Sequence, residues 1–469
     1  MESRSEPSLS LSRTTVRAMP LTNGDRLDAI HVANATLPPR IGTAAHPVTG
    51  TAVEIDGERF YRILNADAMP PFLMTLLSAT DVWAFIASNG GLTAGRTDAE
   101  SALFPYVTQD KLIDTAAATG PLTVLLVTRQ GRTSLWEPLH GTEGLYRTER
   151  NLYKNELGST IVFEEINHDL HLRYRYAWRA SDRYGLVRTS LLVNEGDDAC
   201  KVDLVDGLQN VLPSGVPSQV QNTMSNLLDA YKRSEFDAPS GLGTFTLSSI
   251  LTDLAEPMEA LRATVVWQTG LTPHAHFLHA QPHRRDAFRR GESLPSDHDV
   301  RGRRGCYLTR TAFTLQPGEH RTWRTVADVG LDHAAVVSLR ERRIHEPRAL
   351  DADLERDLAH GTDALRTIVA RADGWQVTRD REATARHVAS VLFNVMRGGT
   401  FPSDVIDVGD LTRFVATRDR HLAERHAQFF ANLPRPLLQR DLVTAAVATG
   451  CPDLERSCRC YLPLASVVD

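Results

Sequence analysis

Leu170-His171-Leu172-Arg173-Tyr174-Arg175-Tyr176-Ala177-Trp178-Arg179 is the stretch on which the fold class turns. Leu170, Leu172, Tyr174, Tyr176 and Trp178 take every second position, with His171, Arg173, Arg175 and Arg179 among the intervening ones. Successive side chains of a strand point to opposite faces, so a period of two predicts a strand with one apolar and one basic face, in a half-solvated antiparallel sheet. Ser181-Asp182-Arg183-Tyr184-Gly185 turns the chain, and Leu186 to Val193 returns as a second strand ending at Asn194-Glu195-Gly196. A third runs from Cys200 to Val205 and is expected to close at Asp206-Gly207.

Outward from this meander, strand signals recur at Leu122 to Thr128, Thr264 to Gln268, Tyr307 to Leu315 and Thr322 to Val329, with Pro317-Gly318-Glu319 as a turn. The natural packing is an antiparallel β super-sandwich over residues 51–345, after a Ser-, Thr- and Pro-rich lead-in over 1–50. The period then changes. Leu354, Leu358, Leu365, Ile368 and Val369 recur at helical spacing, predicting a connector helix between Arg348 and Ala372, and a second helix is expected from Glu382 to Met396, stopped by Gly398-Gly399. Together they make a helical linker over 346–397. Helices are also expected from Leu411 to Asn432, from Leu437 to Thr449 and after Pro452. A closed barrel of helix pairs takes about a dozen helices, so residues 398–469 are expected to hold an incomplete α/α barrel. The fold class is therefore β plus α multidomain. The apolar residues Phe429, Phe430, Leu437, Leu438 and Val443 would lie uncovered in such a fragment, predicting a homo-oligomer or a complementary carboxy-terminal half.

With 469 residues, 42% of them hydrophobic, the chain can build a large core, and its net charge of -6 gives no electrostatic reason to bind nucleic acid or an anionic membrane. The first twenty residues lack the apolar core of a secretory signal, so the cytoplasm is the expected address. Cys451, Cys458 and Cys460 are spaced unlike zinc ligands, and Cys200 and Cys306 are isolated, so neither a metal nor a disulfide framework is expected. Gly241-Leu242-Gly243 lacks the third glycine and following helix of a dinucleotide fingerprint, and the phosphate-loop and nucleophile-elbow patterns are missing.

Four phrases carry a resemblance: SNGGLTAGRTDAESALFPY (88–106), LWEPL (135–139), GLYRTERNLYKNELGSTIVFEEINHDLHLRYRYAW (144–178) and VDLVDGLQNVLPSGV (202–216). They resemble the amino-terminal half of bacterial proteins related to cellobiose phosphorylase and other glycoside phosphorylases. That resemblance implies a mutarotase-like super-sandwich, a helical linker and a helix-pair barrel that carries the acid and the phosphate site. It implies carbohydrate binding and processing, with a carbohydrate ligand and inorganic phosphate as co-substrate but no other cofactor. Because the chain stops before most of a barrel, it is expected to be the truncated amino-terminal portion, and no family catalytic residue transfers to a position here. Two alternatives stand beside this reading: a non-catalytic glycan-binding or structural module, and a mutarotase-type epimerase with a His and a Glu on facing strands.

Glycoside cleavage needs a proton-donating acid and a base or attacking phosphate around one sugar ring. Glu164 and Glu165 are the conspicuous acids in a strand-like run, but neighbours on a strand face opposite ways, so at most one could reach a shared cleft; a hydrogen-bonding role within the sheet is the competing reading. The segment from Asn89 to Asp114 suits a sugar-binding loop. Gly90-Gly91 and Gly95 permit an irregular path, Arg96, Asp98, Lys111 and Asp114 offer polar groups, and Phe104 or Tyr106 offers an aromatic platform. His274, His276, His279 and His283 form no complete ligand set, and the run through Arg284, Arg285, Arg289 and Arg290 to Arg304 reads as a solvated basic loop able to touch phosphate or a sugar acid.

Overall fold

The structure is a computed structural model, and it describes residues 30–31, 47–140, 145–249, 260–371, 380, 383–389, 400–402, 405–461 and 463–466. The expected lead-in falls largely outside these residues. The chain divides into two compact units, Met1–Thr362 and Asp363–Asp469.

The first unit is built of strands β1 (Ile30–His31), β2 (Thr49–Ile55), β3 (Glu58–Leu64), β4 (Leu73–Leu76), β5 (Val82–Ala87), β6 (Leu92–Arg96), β7 (Gly120–Arg129), β8 (Arg132–Trp136), β9 (Thr148–Asn155) and β10 (Ile161–Asn167). It continues through β11 (Leu172–Ser181), β12 (Gly185–Asn194), β13 (Cys200–Val211), β14 (Lys232–Asp237), β15 (Leu242–Leu247), β16 (Arg262–Thr269), β17 (Ala275–Phe277), β18 (Asp299–Arg301), β19 (Gly305–Leu315) and β20 (His320–Asp332). Among the described residues an 11-stranded sheet runs β18-β14-β15-β16-β20-β12-β11-β10-β9-β3-β2, and a 6-stranded sheet runs β1-β8-β7-β13-β19-β17. A third, of three strands, is the meander β4-β5-β6. Pairing is antiparallel except between β1 and β8.

The alternating pattern around Tyr174 does what its period dictates. Tyr174, Tyr176 and Trp178 project to one side of β11 and are buried with Phe163 of β10, Trp323 of β20, Leu125 and Val127 of β7, and Leu204 and Leu208 of β13, so one apolar cluster draws on both large sheets. Each such side chain contributes about 1.5–3 kcal/mol by leaving water.

The basic face, by contrast, is not wet. Arg175 is 1% exposed and bonded through Nε and Nη2 to Glu164 on the neighbouring strand, while Ala177 packs with Val162, Tyr153, Phe60 and Ile55. Arg179 reaches the Leu358 carbonyl (3.4 Å) and the Thr362 hydroxyl (3.3 Å), and Arg173 pairs with Glu195. The half-solvated sheet of the sequence reading is thus corrected. Its second face is covered by ion pairs and by the helix that follows the sandwich, partners far away in sequence.

The expected close at Asp206-Gly207 is corrected too, because β13 runs on to Val211. Asp206 is fully buried between the sheets. Its carboxylate pairs with Arg188 and accepts from Trp323 Nε1 (2.7 Å), Thr123 Oγ1 (2.7 Å) and Gln268 Nε2 (3.3 Å). Gly207 serves the same strand by being small, since a Cβ there would lie 1.9 Å from the Tyr307 carbonyl oxygen.

After β20, helix His333–His345 is N-capped by Asp332, whose carboxylate accepts from Ala335 N at 2.9 Å, and helix Pro347–Arg371 follows. Leu350, Leu354 and Leu358 recur every fourth residue and pack with Leu339 against Val187, Val265, Trp267 and Val326 of the large sheet. Asp353 fixes the seat, accepting from Tyr184 Oη (2.6 Å), Arg183 Nη1 (2.8 Å) and Arg342 Nη2 (3.1 Å).

In the second unit 383–389 are helical, and the remainder of the expected Glu382 to Met396 helix lies outside the described residues. The helix expected from Leu411 to Asn432 is three: Val408–Arg418, Arg420–Arg425 and Ala427–Ala431, the first break falling at Asp419, whose carboxylate caps the next helix through Leu422 N (2.9 Å). Helices Gln439–Ala448 and Pro452–Cys460 follow. Phe430 and Leu437 are buried in a local core with Leu411, Val415, Leu442, Leu454 and Cys458, and Phe429 packs against it. The expectation of uncovered apolar faces is corrected for these residues: a small helical unit closes around them, and no barrel is formed by the described helices.

Candidate functional site

A cleft of about 290 Å³ opens where β9, β10 and β11 present the face that elsewhere fills the core. Its wall includes Arg150, Leu152, Phe163 and Tyr176 from the large sheet, Ser88 and Asn89 from the β5–β6 turn, Leu139, and Ala66, Asp67, Met69 and Pro71. Phe163 and Tyr176 face each other across β10 and β11 and stack at 5.0 Å with rings 22° apart. The Tyr176 hydroxyl is buried and has no hydrogen-bond partner among the described residues. Burial and the nearby Tyr174 raise its pKa far above the ordinary phenol range, so it stays a neutral donor.

Beneath the cleft, Glu165 is the tie that shapes it. Its Oε1 accepts from Trp136 Nε1 (2.7 Å), and its Oε2 accepts from the Leu139 amide (2.8 Å) and Arg150 Nε (2.7 Å). Leu139 sits at φ 66, a left-handed backbone that costs a non-glycine residue on the order of 1–3 kcal/mol and is held here by that bond. The LWEPL phrase is therefore a strand end pinned to Glu165. On the opposite wall, Asn89 Nδ2 donates to the Ile113 carbonyl (2.9 Å) and Ser88 Oγ accepts from Phe72 N (3.1 Å), which leaves the Ser88 hydroxyl proton for a ligand. Gly90, at φ 91, lets the turn approach closely: a Cβ there would be 3.4 Å from both the Tyr176 oxygen and His140 Cε1.

Glu164 faces away from this cleft. Burial pushes its carboxyl up, but Arg175, Arg173, Asn151 and Tyr153 outweigh that and hold it below the ordinary glutamate range. Both acids are thus built into hydrogen-bonded ion pairs, one on each face of β10, and so do not share a common space.

The other sequence-selected residues lie apart from the cleft. The segment expected as an irregular loop is instead the β5–β6 hairpin and its continuation. Arg96 ties three elements together, bonding Asp328 (2.6 Å), Asp81 (2.6 Å) and the Asp182 carbonyl (2.6 Å). Asp98 caps the 3-10 turn Ala99–Ser101, and Phe104 is fully buried and so cannot act as a platform. Tyr106 is exposed with its ring edge-on to Trp83 at 5.5 Å, while Lys111 and Asp114 sit on the outer side of helix Gln109–Asp114. None of these six lines the cleft; from that segment only Asn89, beside Ser88, does. Sequence reasoning placed Tyr176 on the apolar face and stopped there. The signal it passed over was the hydroxyl, which a phenylalanine at that position would lack.

No family model matches the chain, and no curated protein matches it. Its structure is similar to that of a protein assigned as an aldose 1-epimerase from Escherichia coli K12, at 14% identity over 56% of this chain and 100% of that one, with a TM-score of 0.32. It is similar to a bacterial glucoamylase complexed with acarbose, at 9% identity over 77% of this chain and 51% of that one, TM-score 0.41. A galactose mutarotase-like protein from Clostridium acetobutylicum matches at 9% identity over 61% of this chain and 99% of that one, TM-score 0.29. The chain spans about half of the glucoamylase. The likeness is one of overall architecture alone.

Proposed function

We propose that the sandwich unit binds a saccharide in the Tyr176 cleft, as the carbohydrate-binding portion of a glycoside phosphorylase- or hydrolase-like protein, and does not itself cleave the sugar. The observation that carries this reading is the Tyr176 hydroxyl, a buried and unpartnered donor on the wall of a cleft that also offers the Phe163–Tyr176 pair. A sugar hydroxyl oxygen seated at that wall answers the phenol by accepting its proton. A binding role is supported by Glu165, whose two oxygens are already taken by three donors. A glycosidase or epimerase needs a carboxyl group free to exchange a proton, and Glu165, held by those three donors, is not one; the carboxylate that lines the cleft itself is Asp67.

The test is calorimetric titration of the full chain with glucose, galactose and cellobiose, beside a phosphate-release assay with glucose 1-phosphate and sugar acceptors. Binding without turnover is expected, weakened about 5- to 10-fold in Tyr176→Phe, as for loss of one net hydrogen bond. Phosphate release by the chain, or saccharide affinity indifferent to Tyr176→Phe, would overturn the reading.

A further inference from the structure

A second cavity, of about 400 Å³, lies at the other large sheet and is lined by a different chemistry. Its walls are the start of helix Pro282–Arg289, the turn that carries Gly302, Arg303 and Arg304, the turn at Ala117 and Ala118, and the end of β13. The sequence reading took 283–304 as a solvated basic loop. The structure instead folds its first half into a helix whose Phe288 is buried with side chains of β7 and β19 and whose Ala287 is buried too.

That folding sorts the arginines. Arg284 bonds Asp297 (2.5 Å) and Arg289 grips Glu137 through two bonds (2.5 and 2.8 Å). Arg285 and Arg303, which both line the cavity, have no carboxylate partner among the described residues, and Arg285 Nε is buried without any acceptor. Among the described residues the lining contains one carboxylate, Asp229; it is taken by Lys232 at 2.7 Å and lies 3.7 Å from Arg304. Three guanidiniums therefore converge on a space whose single acid is already neutralised. The first turn of the helix adds the positive end of its backbone dipole.

The floor is neutral and directional. Asn210, at φ 58 where the β13–β19 register shifts, donates from Nδ2 to the Thr119 hydroxyl (2.9 Å), and Gln209 donates from Nε2 to the Ala117 carbonyl (3.1 Å). Both amides thereby keep their oxygens as acceptors for hydroxyl groups. A strained residue at a strand irregularity, aimed by its own hydrogen bond, is a common way to position a binding group.

We propose that this cavity binds a phosphorylated monosaccharide, with Arg285 and Arg303 on the phosphoryl oxygens and the Gln209 and Asn210 amide oxygens on the sugar hydroxyls. Forked guanidiniums match the spacing of phosphoryl oxygens, and a cavity of this size holds one hexose phosphate. The site stands apart from the Tyr176 cleft and does not depend on the reading given for it.

The experiment is titration of the full chain at low salt with glucose 1-phosphate, glucose 6-phosphate, inorganic phosphate and glucuronate. A sugar phosphate is expected to bind about 10-fold or more tightly than inorganic phosphate, and to weaken by at least about 10-fold in Arg303→Gln, an exposed position whose change leaves the fold alone. Arg285→Gln should act in the same direction, with the thermal transition followed to confirm folding, and Tyr176→Phe should leave sugar-phosphate affinity unchanged. Equal affinity for inorganic phosphate, tighter binding of glucuronate, or indifference to Arg303→Gln would each overturn the proposal.

Discussion

Glu164 and Tyr176 lie on neighbouring strands and illustrate two opposite uses of a buried polar atom. Glu164 is satisfied on both oxygens, and its partner Arg175 is as deeply buried as it is. Removing one member strands the other, so Arg175→Met should cost about 3–5 kcal/mol in urea unfolding, whereas Glu164→Leu with Arg175→Met together should cost less than the sum. The folded carboxyl is held below its unfolded pKa, so its contribution is fully present above the ordinary glutamate range and is lost as pH falls through the depressed folded value. Unfolding midpoints followed from neutral to acid pH should therefore drop, and Glu164→Gln should flatten that drop. Tyr176 is the reverse case. Its unpartnered hydroxyl makes Tyr176→Phe neutral or stabilising by up to about 1 kcal/mol in the free protein while it weakens saccharide binding, an exchange of stability against function readable by paired melts and titrations.

At the scale of elements, β13 shows how tertiary contact overrides a turn signal. Asp-Gly reads as a turn from local preference, yet Asp206 is drawn into the sandwich by Arg188, Trp323 and Thr123, and Gly207 lets Tyr307 of β19 come close. Gly207→Ala should lower stability by about 1–3 kcal/mol or more, measured as a fall in the thermal midpoint, since the Cβ meets backbone rather than a movable side chain. The connector helix makes the complementary case, in which local pattern and packing agree. Leu354→Ala, at a fully buried position of that helix, should cost about 2–5 kcal/mol in the same measurement.

At the scale of the whole molecule, the two units each have an apolar core of their own. Leu442→Ala, in the core of the second, should loosen that unit by about 2–5 kcal/mol, seen as faster amide exchange in the peptides of 405–461, and leave saccharide affinity of the first unchanged. The sequence alone determined the strands around Tyr174, the turns at Gly185 and Asn194, and the helix carrying Leu354 and Leu358. These are legible because a period of two or of three to four residues is a property of neighbours in the chain. It also placed Glu164 and Glu165 on opposite faces, for the same reason. Only the tertiary structure decided what each face meets. It put Glu164 beneath Arg175, closed the basic face of β11, drew Phe430 and Leu437 into a local core, and moved the candidate site from Arg96 and Tyr106 to Ser88, Phe163 and Tyr176. A cleft is a relation among residues that turns, loops and three strands bring together between Ala66 and Tyr176, and no local periodicity encodes which of them will share a wall.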